Sequence, residues 1–351
     1  MRFARVWIPI LVVMILAACA GENAPTGSGA EVTQEASTGV AEPIPQAGSN
    51  LIGPLERTAA AAPTVAEETA AVEPAGAGTA AEEPMVEPTA VLVEPTAAAT
   101  VIPPFDPTVW GDLPVIPDLS PRAREILADG LARGNNPRAF SKIGDCESQA
   151  QWFLNDFDLG PEFYTLGAHE GDLSPVVEYY AGSFERTSLA ARPGFTAASL
   201  MAPIWADKAQ CEKGETPLAC ELRIHRPLTA FILVGTNDAS NPKTFEGHLR
   251  KAIEYTIAQG TLPILGTKAD NVEGDHSINQ TMARLAHEYE IPLWNYWAAV
   301  QDLPGHGLQP DGVHLTFAAP HFDDPEKMKR AWPVRNLNAL QMLREVMVET
   351  E

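Results

Sequence analysis

Beyond residue 120 the apolar residues follow two alternating patterns: short unbroken runs, and longer segments where they recur every three or four positions. Thr229 to Val234 is almost continuously apolar, the mark of a strand buried on both faces, and it stops at Gly235. Arg138 to Ile143 reads as a strand running into Gly144-Asp145-Cys146, with further strands at Leu262–Leu265 and Pro292–Trp294. Helical periods fill the intervals. Ser120-Pro121 opens an amphipathic stretch that stops at Gly134, an N-cap and a C-terminal glycine in their usual places. Thr244–Gln259 is followed by Gly260, and Ser277–Tyr289 and a closing Val334–Val348 complete the set. Strands alternating with helices predict an α/β fold with a parallel sheet covered on both sides, and ligands beyond the carboxyl ends of its strands. About 240 residues are available, enough for one domain with a substantial core.

The N-terminal third has neither pattern. Arg2 and Arg5 precede an apolar run from Val6 to Leu16, too short to span a membrane as a mature helix. Leu16-Ala17-Ala18-Cys19 follows and resembles a bacterial lipobox, which implies that residues 1–19 are a lipoprotein leader with Cys19 lipidated. Residues 20–107 are dominated by Ala, Pro, Glu, Thr and Gly. Val-Glu-Pro recurs there at Val72, Val86 and Val93 without the length of a folding repeat. Such a stretch buries too little apolar surface to offset its ordering entropy and is expected to be a disordered tether. The folded domain is then expected over 108–351. An exported, cell-surface protein held to the membrane through its lipid alone is the implied arrangement.

Charge narrows the partners. The chain carries a formal −22, and between Ala20 and Asp112 there are 14 acidic residues against Arg57 alone. An acidic tether and an acidic domain argue against nucleic acid or anionic lipid as charge-driven partners. Disulfides persist in an exported protein, and Cys211 and Cys220 flank a short loop with Gly214 and Pro217. A bridge there is expected, contributing about 2–3 kcal/mol. That leaves Cys146 unpaired, a bridge from Cys146 to either of the other two being the alternative.

Three motifs carry the chemistry: Gly144-Asp145-Cys146, Gly235-Thr236-Asn237-Asp238 and Asp311-Gly312-Val313-His314. In this order they resemble the SGNH (GDSL-type) hydrolase family, with one departure: the family places serine where this chain has Cys146. The resemblance implies a flavodoxin-like three-layer α/β/α sandwich from about Pro137 onward. It also implies an acyl-transfer site in which Cys146 attacks, His314 takes the proton and Asp311 orients the histidine. Asn237 and the N–H of Gly194 would serve as oxyanion donors, with the Cys146 N–H. A thiol beside a histidine is a competent acyl nucleophile, although Glu147 next to it discourages a thiolate. Ser148 is the alternative nucleophile, reaching from two residues along the turn. A turn asparagine satisfying its own backbone and a plain Pro193-Gly194 turn are the simpler roles for Asn237 and Gly194.

Other residues have ordinary readings. Lys268, Asp270 and Asn271 follow a strand at the site's end of the sheet and either contact substrate or form a solvated loop. Trp294, Tyr296 and Trp297 are a sugar platform or, at that spacing, core. His306 and His321 have no partner at metal-ligand spacing, so no metal is expected, and the resemblance implies no cofactor. The absence of Gly-x-Ser-x-Gly argues against the α/β-hydrolase fold. The expected function is hydrolysis of acyl or acetyl esters, with acylated glycans as a substrate class suggested by location. Transfer to a sugar acceptor would use the same residues. The rival is a degenerate SGNH domain that binds a glycan or partner without turnover.

Overall fold

The computed structural model describes residues 104–350. The leader, Cys19 and nearly all of the expected tether lie outside the described residues. Packing begins earlier than residue 108. Phe105 packs against His287 with the rings tilted, Asp106 caps a 3-10 turn at Pro107–Asp112, and Trp110 is buried against Trp297.

Nine α-helices and four strands follow among the described residues. They are α1 (Pro121–Ala132), β1 (Asn136–Gly144), α2 (Asp156–Leu159), α3 (Glu170–Tyr179), α4 (Ala197–Leu200) and α5 (Pro217–His225) in the first half. The second half holds β2 (Pro227–Leu233), α6 (Pro242–Ala258), β3 (Leu262–Gly266), α7 (Ser277–Tyr289), β4 (Leu293–Trp294), α8 (Tyr296–Val300) and α9 (Ala331–Val348). The helix stops and starts obey their local chemistry. Ser120 Oγ accepts the Ala123 N–H at 2.9 Å to open α1, and Gly134 takes φ +77° just past its end.

All strand pairs are parallel, in the order β1-β2-β3-β4, and every residue of β2 is buried. A rudimentary fifth strand lies on the other side of β1. Gly144 N–H donates to Ala190 O at 3.0 Å, and Arg192 N–H donates to Gly144 O at 3.1 Å. Counted in chain order this is the 2-1-3-4-5 arrangement of a doubly wound sheet, with its switch point at β1. The α/β sandwich expected from the alternation is therefore present. Among the described residues no helix is long and apolar enough to cross a membrane.

Residues 207–226 are tied into the fold. Cys211 and Cys220 form the expected disulfide, Cα to Cα 5.3 Å. It ties the loop to α5, which packs on β1. From α5 the fully buried Glu221 accepts from Ser141 Oγ at 2.6 Å, Arg186 Nη1 at 2.7 Å and the Leu189 N–H at 2.8 Å.

Candidate active site

The switch point is where β1 delivers the first motif. A Cβ on Gly144 would stand 2.0 Å from Leu233 O and 2.4 Å from Ser148 Oγ, so only glycine lets the chain turn this close to β2. Asp145 Oδ1 accepts the Glu147 N–H at 3.1 Å, and a 3-10 turn over Cys146–Ser148 follows. Cys146 lines a small pocket with Asp145, Glu147, Thr236, Asn237, Val313 and His314.

The second motif leaves β2 through Gly235 and enters a 3-10 turn at Asn237. Asn237 Nδ2 donates to Phe195 O at 3.1 Å, which leaves its second amide hydrogen for other partners. Next to it, both Asp238 carboxylate oxygens accept the Ala197 N–H at 3.1 Å. The segment after Gly194 is thus held against the asparagine turn. Gly194 itself has φ +78° and is the second corner of a β-turn closed by Phe195 N–H to Arg192 O at 3.1 Å. It is not among the pocket's lining residues.

The third motif closes on itself. Asp311 Oδ1 accepts the N–H groups of Val313 and His314 at 3.0 Å each, and its Oδ2 lies 2.6 Å from His314 Nδ1. The His314 hydrogen bond holds the Asp311 carboxyl down at about 2, so it is ionised and an acceptor at neutral pH. Nδ1 is accordingly the ring nitrogen that carries the proton facing Asp311. Gln309 N–H to His314 O at 2.8 Å holds the loop shut.

A second, more polar cavity shares Asp145, Glu147 and Thr236 with the pocket and is lined also by Lys268, Tyr296 and Arg335, among others. Burial raises Asp145 to about 6 and Glu147 to about 7, Arg335 opposing both, and burial likewise raises Asp238 to about 6. For a carboxyl whose folded pKa exceeds its unfolded value, the native state binds more protons in the interval between the two. The stabilisation is therefore complete below about pH 4 and is lost as pH rises through 6–7. Lys142, buried in β1 and lowered to about 7 by that burial, opposes this trend only above neutrality. The expected result is a melting temperature roughly 5 °C higher at pH 5 than at pH 7.5, with the difference reduced in Asp145→Asn. A melting temperature that rises from pH 5 to 7.5 would contradict the assignment.

The structure also departs from the sequence reading. Cys146 is disulfide-bonded rather than unpaired; the spacing of cysteines in the chain could not reveal this. Ser148 is fully buried, and its hydroxyl donates to Leu233 O at 3.4 Å, so it faces the sheet and not the pocket. Lys268 and Asp270 are not a solvated loop. Lys268 Nζ lies 2.6 Å from both Asp270 Oδ1 and Glu273 Oε2, and all three side chains are buried. The Asn271 side chain accepts the His276 N–H at 2.9 Å. Trp294 and Tyr296 are core. His321 Nδ1 pairs with Thr165 Oγ1, and His306 Nδ1 with Gln301 O, each at 2.8 Å. Among the described residues Cys211, Glu215 and Cys220 bring ligand atoms within 4.8 Å of one another, but their two sulfurs are joined to each other. The sequence reading missed the links made by Glu147, Arg335 and Asp238. The acidic residues flanking Cys146 were the one signal available for them.

Comparison of the chain with protein-family models and with curated proteins found no match.

Proposed function

We propose that this protein is an extracytoplasmic acyl hydrolase of the SGNH type that acts on acyl or acetyl esters, including those on glycans. One observation carries the reading. Cys146, Asn237 and His314 line a single pocket at the carboxyl edge of the sheet, with Asp311 Oδ2 2.6 Å from His314 Nδ1. The basic and apolar leader before Cys19 supports a position outside the cytoplasm, and the glycan substrate rests on that position.

An external thiol first exchanges with the disulfide and releases the Cys146 sulfur. The thiol proton passes to His314 Nε2 as the sulfur attacks the ester carbonyl carbon. The developing oxyanion is met by the second Asn237 amide hydrogen and the Cys146 N–H. Collapse breaks the carbon–oxygen bond, and the alcohol leaves with the proton from His314. Water, deprotonated by the same nitrogen, then cleaves the thioester and releases the carboxylic acid and the thiol. Gly194, off the pocket lining, has no part in this scheme.

p-Nitrophenyl acetate hydrolysis by the full chain, with and without mild reductant, tests this beside Cys146→Ala. Turnover in the reduced parent and none in the variant is expected. Turnover that survives in Cys146→Ala removes the cysteine from the mechanism. The disulfide on Cys146 favours a second reading, a binding module built on the same pocket. In that case the reduced parent is inactive, and the parent and Cys146→Ala bind an acylated glycan equally well.

A further inference from the structure

Glu147 joins three segments that are remote in sequence. Its Oε1 accepts the N–H of Leu315, the residue after His314, at 3.2 Å. Its backbone carbonyl accepts from Arg335 Nη1 at 3.0 Å, and its Oε2 lies 3.4 Å from the same nitrogen. Arg335 comes from α9 and is fixed there by packing: its guanidinium sits 4.8 Å from the Phe153 ring centroid and 5.0 Å from that of Trp332. Its side chain is only 6% exposed. The histidine loop is by contrast open, with 33% of the His314 side chain and 47% of Asp311 exposed. Its contacts through Asp311 and Gln309 are internal and fix its shape rather than its distance from position 146. Thr316 anchors the far end of the loop to the start of α9, where its Oγ1 accepts the Ala331 N–H at 3.0 Å. The bond to Glu147 ties the near end to the turn that carries Cys146.

We propose that Glu147 is a positioning residue: its carboxylate oxygen, braced by Arg335, holds the Leu315 N–H and so sets the approach of His314 to position 146. This rests on the acyl-transfer reading for its kinetic consequence, but the clamp itself has a readout that needs no activity. What matters is the reach of the acceptor oxygen, and the charge serves only to brace it against Arg335. Two substitutions separate these. Glu147→Gln keeps the reach and an acceptor oxygen while losing the charge; Glu147→Asp keeps the charge but withdraws the acceptor by one methylene.

The experiment measures kcat and KM for p-nitrophenyl acetate under reductant, together with amide hydrogen exchange at Leu315, in the full chain and both variants. Glu147→Asp is expected to lower kcat about 10–100-fold at nearly constant KM, since a misplaced general base costs rate and not ground-state binding. Its Leu315 amide should exchange about tenfold faster or more. Glu147→Gln should stay within roughly threefold of the parent in kcat and retain Leu315 protection. The reverse order, Gln impaired and Asp preserved, overturns the proposal, as does unchanged Leu315 exchange in Glu147→Asp. Should the parent show no turnover, the acyl-transfer reading fails by itself. Exchange at Leu315 then decides the clamp: faster in Asp than in Gln supports it, and equal rates overturn it.

Discussion

His314→Ala is expected to lower kcat/KM for ester hydrolysis by about 10³-fold or more while leaving the melting temperature unchanged within about 1 °C. The two halves of this expectation have separate causes. In the proposed mechanism the imidazole takes the thiol proton and returns it to the alcohol, so its loss would remove both proton transfers of the acylation step. The side chain is one-third exposed, on a loop whose backbone bonds to Asp311 do not depend on the ring. Asp311→Asn should lose rate for a different reason. The neutral amide can donate to Nδ1, which favours the tautomer with its proton on Nε2 and leaves no basic nitrogen facing the pocket. Rate measurements under reductant with parallel thermal melts check both. Turnover surviving in His314→Ala would remove the histidine from the chemistry. A large fall in melting temperature would mean that the loop is structural.

The largest stability effect is expected far from the pocket. Glu221→Ala should cost about 3–5 kcal/mol, because it strips the acceptor from a largely buried cation and leaves the Ser141 hydroxyl and Leu189 N–H without their present partner. The Arg186 side chain is only 16% exposed and has little recourse to water. At this chain size the melting temperature should fall by roughly 10 °C, with the denaturation midpoint shifted to match. The arginine also donates to Phe140 O on β1 at 2.8 Å, so the loss should loosen the strand that carries Cys146. A change below about 1 kcal/mol would mean that the network contributes no more than a surface ion pair.

The elements were readable where their cause is local. A run such as Thr229–Val234 has few conformations that bury every side chain, and the observed β2 over Pro227–Leu233 matches it closely. α7 starts and stops at the expected residues, Ser277 and Tyr289, because a helical period is written in neighbours three and four apart. The stretch between Cys146 and Arg226 was far less readable. Its helices α2 and α4 have four residues each, too short to show a period, and α3 carries Pro175 inside it, a residue that reads as a break. The start of the packed region was misplaced by a few residues for a similar reason: Phe105 and Trp110 are isolated apolar residues whose partners, His287 and Trp297, lie far along the chain.

For the site, the order of the three motifs was enough to bring Cys146, Asn237 and His314 forward as a set, since each lies where a strand or loop ends and the turn residues show it. Their shared pocket required the sheet order, which puts β1 between β2 and the Ala190–Arg192 bridge. The sequence settles what depends on near neighbours: strand and helix periods, caps, glycines in tight turns and the Asp311–His314 pair three residues apart. It leaves open everything made by contact at a distance. That Ser148 turns into the sheet and that Lys268 is buried with two carboxylates follow from packing. So does the hold of Glu147 on Leu315, 168 positions away. The reason is physical: a local pattern limits a residue's own backbone, whereas burial and charge pairing are set by whichever distant side chains the folded sheet brings alongside.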